Sequence, residues 1–418
     1  MTEGGDSVVI VGAGAAGSAC AKALLAGGFD GGILLVDGEP GGFGINRTLV
    51  DTGLLPGLLT PEQIALPRPG GTPGSGGIEV FAGRAVGWGA GMRSVVLDGG
   101  REAGAGAVVL ACGSAPRGLG EEVRVDAAAP VHVLHGAADA ARLRAALPDP
   151  AGAGVIVIGA GFIGAEVASH YAAAGARVTL IGRSRLPLRA AFGDEIANAL
   201  AELHRERVDA RFAAEVRAVR ATSGAGSSGA AVELSDGSVL EGDVVIVAVG
   251  TRPEATWAGF GGAIPVDDRL RVRADGAGSD VLGTDAPHLY AAGGVAEIAT
   301  GAGPIRIDHW DDSAAQGAHA ARTLLHDLGM GEDPGPYVPV AGFTLMVHGA
   351  VAAARGIRLA EGVEERREID GGLLTEFSGE GGGLAGVAGW NAGAHVSRAA
   401  ARLGVGSPAR DGVARPGA

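Results

Sequence analysis

Two stretches decide the fold: VVIVGAGAAGSACAKALL at residues 8–25 and VIVIGAGFIGAEVASHYA at residues 155–172. They align without gaps, and Gly12, Gly14 and Gly17 fall on Gly159, Gly161 and Gly164. Each opens with four β-branched residues, the pattern of a buried strand, and continues into an alanine-rich stretch suited to a helix. A second strand follows each, ILLV at 33–36 and VTLI at 178–181. Later echoes, VVLACGSAPR at 108–117 and VVIVAVGTRPEA at 244–255, are again buried strands ending in small-residue turns. Two βαβ-containing units of one plan account for all of this.

The glycine spacing has a physical reading. In a strand–turn–helix context the first glycine allows the tight turn and the second lets backbone approach a pyrophosphate. The third lets helix and strand pack closely. The helix start then offers free N–H groups and the positive end of its dipole. Gly12, Gly14, Ala15, Ala16 and Gly17 are therefore expected to hold one dinucleotide, and Gly159, Gly161, Phe162, Ile163 and Gly164 a second.

The ends of the second strands discriminate between them. ILLV runs into Asp37 and Glu39, and an acid there suits a ribose 2′-hydroxyl. VTLI runs into Gly182, Arg183, Ser184 and Arg185, with no acid. Arginine suits a 2′-phosphate, which favours NADPH over NADH at the second site; the alternative is a solvated loop.

Composition bounds the rest. A chain of 418 residues allows about three domains. A net charge of −14 supplies no phosphate-neutralising stripe, which argues against nucleic acid as a partner. No stretch reads as a membrane span or a targeting signal, so a cytoplasmic location is expected. Cys20 and Cys112 form no C-x-x-C pair, which excludes a closely spaced redox disulfide; both are expected to be packing residues, and no metal site is expected.

The chain resembles the two-dinucleotide-binding flavoprotein reductases, and within them the bacterial ferredoxin reductases that feed oxygenases and cytochromes P450. The matching stretches are VVIVGAGAAG, VVLACGSAPR, VIVIGAGFIGAEVA, VAVGTRPEA, LYAAGGVAEI and IRIDHWDDSAAQGAHAARTLL, spread over roughly residues 6–330. The resemblance implies an α/β fold with two Rossmann-like domains, the second inserted in the first, and a small, mainly β C-terminal domain. The expected bounds are 1–118 with 252–329 for FAD, 119–251 for NADP (or NAD), 330–406 for the C-terminal α+β domain and 407–418 for a disordered tail. It implies hydride transfer from NAD(P)H to FAD, then single electrons to a small [2Fe–2S] ferredoxin, by a monomer or homodimer. Glu166, His309 and Trp310 are the implied catalytic positions. Arg47, Ala111, Gly113, Arg117, Gly250, Gly293 and Gly294 join the implied cofactor contacts.

Two departures from the family pattern stand out. The family has A-A-G-D where this chain has Ala291, Ala292, Gly293 and Gly294, so a cofactor-binding aspartate is missing. The lysine that the family pairs with its glutamate falls approximately at Thr52, after Asp51. These departures keep a second function open: action on a small organic substrate (a small-molecule acceptor), with an unpaired Glu166 or His309 as acid or base.

Overall fold

A computed structural model describes residues 7–40, 44–67, 77–92, 94–224, 227–273, 288–300, 303–339, 342–356, 363–379 and 382–403. The expected tail at 407–418 lies outside these residues. The α-helices used below are α1 (Ala15–Ala26), α2 (Ala137–Ala146), α3 (Phe162–Ala173), α4 (Arg189–Arg207, kinked at Gly193), α5 (Trp310–Asp327) and α6 (Gly393–Ala400).

The first glycine motif sits in a five-stranded parallel sheet. Its spatial order is His288–Ala291, Ala107–Leu110, Ser7–Val11, Gly32–Asp37 and Ile78–Ala82. Val8, Val9 and Ile10 are each almost wholly buried, as strands covered on both faces must be. Helix α1 packs on the strands either side of its turn, and α5 packs along α1.

The second sheet repeats this arrangement in the order Val131–Val133, Val244–Val247, Gly154–Ile158, Arg177–Gly182 and Asp209–Phe212. Its central strand alternates between two cores. Val155 and Val157 pack with Val167, Ala168 and Tyr171 of α3. Ile156 and Ile158 pack with Val219 and Val232 of a mixed, mainly antiparallel sheet on the other face. That sheet contains the antiparallel pair Val216–Gly224 and Ser227–Leu234, in register from Val216 opposite Leu234 to Gly224 opposite Ser227.

All strands of the second sheet lie in sequence between the fourth and fifth strands of the first, the insertion that the sequence implies. The chain leaves and re-enters through two adjacent antiparallel strands, Ser114–Pro116 and Thr251–Pro253, with Ala115 opposite Arg252. The backbone N–H of Arg117 donates to Gly250 O at 2.9 Å, closing the crossing. Residues 44–64 reach from the first unit to the second: Ile45, Val50, Leu54, Leu55 and Ile64 are buried in the core that holds α2 and α3.

Residues 342–400 form a five-stranded antiparallel sheet followed by α6. Helix α4 packs on its strands Ala350–Gly356 and Leu384–Trp390, so Ser184–Arg207 clusters with this unit although chain order puts it within 119–251. Phe377 lies against the Gly193 kink, where φ of +79° excludes most side chains.

Candidate functional site

The two glycine turns have the same geometry. Gly12 has φ of +112° and Gly159 +113°, and a Cβ on either would overlap the carbonyl of the neighbouring strand end, Ala111 or Ala248. A Cβ on Gly17 or Gly164 would overlap the carbonyl of Gly12 or Gly159, so these glycines set how closely helix and strand approach. Gly14 and Gly161 differ in kind. They are the N-caps of α1 and α3, and a Cβ on either meets nothing within 4 Å. The space before each helix start is open, and a phosphate suits it. Ala15 and Ala16 begin α1, Phe162 and Ile163 begin α3, and Ile163 is exposed.

At the end of the strand Gly32–Asp37, Asp37 is buried and its Oδ1 accepts the Glu39 backbone N–H at 3.0 Å. Glu39 accepts from Arg47 at 2.7 Å, and Arg47 also donates to the His135 carbonyl at 2.9 Å. Burial pushes the Glu39 carboxyl up, and Arg47 pulls it back. The structure thus brings Asp37, Glu39 and Arg47 together. Ala111 follows the strand Ala107–Leu110 and Gly113 turns the chain beyond it, and Arg183 and Arg185 are both exposed.

Gly293 and Gly294 meet α5. The N–H of Gly293 donates to Gln316 Oε1 at 2.7 Å, Gln316 Nε2 donates to Asp312 Oδ2 at 2.6 Å, and Tyr337 Oη donates to Asp312 Oδ1 at 2.9 Å. Gly317 lets α5 lie on the backbone of Ala16, which a Cβ would overlap. The volume in which a side chain at residue 294 would begin is occupied by the carboxylate of Asp308. Ser114 Oγ donates to Asp308 at 2.7 Å, Arg306 donates at 2.8 Å, and Thr251 Oγ1 donates as well. Arg306 also donates to the Gly294 carbonyl at 2.5 Å. His309 is the N-cap of α5 and Trp310 its first residue; both are half-buried.

Glu166 is not unpaired. It meets Asp51, which stands on a π-helical turn, Val50–Leu54, packed against α3. The Thr52 hydroxyl donates to the Thr48 carbonyl at 3.0 Å, and Asp51 is the residue of this turn that meets Glu166. The widened turn sets this register, and a count along the sequence cannot show it. Sequence reasoning also missed Ser114, Thr251, Arg306 and Asp308 as one cluster, although Arg306 and Asp308 lie in the quoted IRIDHW stretch. Among the described residues no group of His, Cys, Asp and Glu forms a metal site.

A dinucleotide fits both turns: each has a close-packed glycine frame, an open N-cap, and a strand end carrying an acid (Asp37) or an arginine (Arg183). The ferredoxin–NAD(+) reductase component of the p-cumate 2,3-dioxygenase system of Pseudomonas putida is 31% identical over 326 residues, 78% of this chain and 76% of that one. A ferredoxin–NAD(P)(+) reductase of Sphingomonas is 32% identical over 333 residues, again 78% and 76% of the two chains. In structure, the ferredoxin reductase for the CYP199A2 system from Rhodopseudomonas palustris superposes with a TM-score of 0.79 at 25% identity, covering 94% of this chain and 93% of that one. The sequence pattern of the pyridine nucleotide-disulphide oxidoreductases matches residues 6–318, the span that contains both turns, and the chain belongs to that family.

Proposed function

We propose that this protein is an FAD-dependent NAD(P)H oxidoreductase that passes electrons to a small [2Fe–2S] ferredoxin. The observation that carries this reading is the pair of matching glycine turns, each with open space before its helix, in one compact unit. When bound, FAD accepts a hydride and gives up electrons one at a time. The protein's part is placement. The amides at the start of α1 would hold the FAD pyrophosphate, and Asp37 the adenosine ribose. Arg47, bonded to Glu39 and to His135, fastens the segment leading to Asp51 beside this strand end. The start of α3 would hold the nicotinamide dinucleotide, and exposed Arg183 favours one carrying a 2′-phosphate.

A cytoplasmic location goes with this reading: both cysteines are free, and burial pushes Cys20 to about 12 and Cys112 to about 11, which leaves them inert thiols. Among the described residues no helix is long and apolar enough to cross a membrane.

The test is anaerobic reduction of purified protein by NADPH, followed by addition of a [2Fe–2S] ferredoxin, with absorbance reporting both steps. Reduction of the ferredoxin is expected, with kcat/KM for NADPH about tenfold or more above that for NADH. Gly14→Val should melt like the wild type when both are stripped of flavin, because its side chain enters open space. It should nevertheless retain no FAD. A variant that keeps its flavin, or a wild type that leaves ferredoxin oxidised, defeats the reading.

A further inference from the structure

Asp51 is 4% exposed. Its Oδ1 accepts the Thr52 backbone N–H at 3.0 Å. Its Oδ2 is buried and receives no donor among the described residues, and the Asp51 carboxyl is in hydrogen-bonding contact with the carboxyl of Glu166. Ionised carboxylates only accept hydrogen bonds, so two of them in bonding contact require a proton between them. Burial, the largest influence, pushes the Asp51 carboxyl above its ordinary range; the contact with Glu166 and the backbone N–H groups of Asp51 and Thr52 pull it back.

The pair has a particular place. Asp51 belongs to the segment that Arg47 fastens to Glu39, beside the first nucleotide turn. Glu166 lies two residues beyond Gly164, on the helix that the second turn begins. The two carboxyls therefore meet where the two nucleotide units adjoin. The other charged or titratable groups on the elements packed here are Arg47, Asp139, Arg142, Arg144, His170, Tyr171, whose phenol burial pushes up to about 12, and Arg177, which donates to the Gly152 carbonyl. Arg47 is bonded to Glu39, Arg142 to Asp139, and the Arg144 guanidinium lies over Gly57. Burial holds His170 below its ordinary value, in the neutral form.

We propose that Asp51 and Glu166 hold one proton between them at neutral pH and together take up the proton that turnover liberates. This rests on the reductase reading, and that reaction supplies the need. The C–H bond broken in NAD(P)H yields two electrons and one proton. Two iron–sulfur acceptors take one electron each, and the proton is left over. An O–H bond forms on the ionised oxygen of the pair, which passes from one proton to two and then returns one to water.

Infrared spectroscopy of the oxidised protein, without reductant or acceptor, should show a carboxylic-acid C=O band at neutral pH that disappears in Asp51→Asn and in Glu166→Gln. Melting gives a second readout. A carboxyl whose folded-state value lies above its unfolded 3.8 weakens the fold as pH rises through that window. Asp51→Asn should therefore melt higher than the wild type at neutral pH. The Asp51→Asn/Glu166→Gln double variant, with no carboxyl left, should reduce ferredoxin about a hundredfold more slowly. Absence of the acid band in the wild type overturns the shared proton. A band present with wild-type turnover in the double variant overturns the role. A band present in a wild type that reduces no ferredoxin overturns the role and the reductase reading together, and leaves the shared proton standing.

Discussion

Gly294 is bare because a carboxylate from elsewhere fills its place. Asp308 stands where a side chain at 294 would begin, held by Ser114, Thr251 and Arg306. Gly294→Asp would press a second carboxylate against the first and should destabilise the protein by about 1–3 kcal/mol. Gly294→Asp/Asp308→Gly would present one carboxylate to the same three donors and should be more stable than Gly294→Asp alone, a coupling that a double-mutant cycle by chemical denaturation measures. Strictly additive effects would show that the two positions do not compete for one space. In the sequence the loss at 294 was legible, because a glycine interrupts a short motif. Its compensation was not, since only the fold brings residue 308 to residue 294. Asp51 makes the same point: its identity was plain, but its inward register depends on a π turn that no periodicity announces.

At the scale of elements, α5 holds the turn after the strand His288–Ala291 through one side chain. Gln316 is fully buried and bonds both the Gly293 N–H and Asp312. Gln316→Leu would leave both without that partner. Each loss costs about 1–3 kcal/mol, so the variant should unfold at clearly lower denaturant and its Gly293 amide should exchange faster with solvent. An unchanged midpoint would mean that water replaces the amide. Gln316 and Gly317 lie in one of the stretches that carry the family resemblance, and the fold supplies the reason for the pair. Gln316 ties the turn, and Gly317 gives α1 the close approach that places Gly14. Sequence patterning captured the strands and helices best where β-branched runs and glycines set them, as in Val8–Val11 and Val155–Ile158. It captured packing partners least, as α4 shows: chain order puts this helix among the nucleotide strands, while its buried face meets the C-terminal sheet.

At the scale of the molecule, the C-terminal unit carries an acid sensitivity of its own. His204 of α4 is fully buried, and its Nδ1 lies 3.1 Å from Nε2 of His348 in the turn before Ala350–Gly356. Burial, then the neighbouring positive charge (His348 for His204, Arg207 for His348), pushes them down to about 3 and about 4 from 6.5. The unfolded chain takes up these protons first. Their contribution to stability is therefore whole above about pH 6.5 and is lost as pH falls through 4 and 3. His348 has φ of +48°, which asparagine tolerates, so His348→Asn should keep the turn and move acid unfolding of this unit to lower pH, followed by circular dichroism. An unmoved midpoint would assign the acid response to carboxylates. The duplicated turns have a wider consequence. Because Gly12 and Gly159 share one backbone shape, the glycine frame is a common part of both turns, and the frame alone does not distinguish flavin from nicotinamide. Under the proposed function, the choice between a ribose 2′-hydroxyl and a 2′-phosphate falls a strand away, to Asp37 and Glu39 for one copy and to exposed Arg183 for the other. On that reading, rewriting one surface residue would exchange the reductant while every atom that packs the core stays where it was.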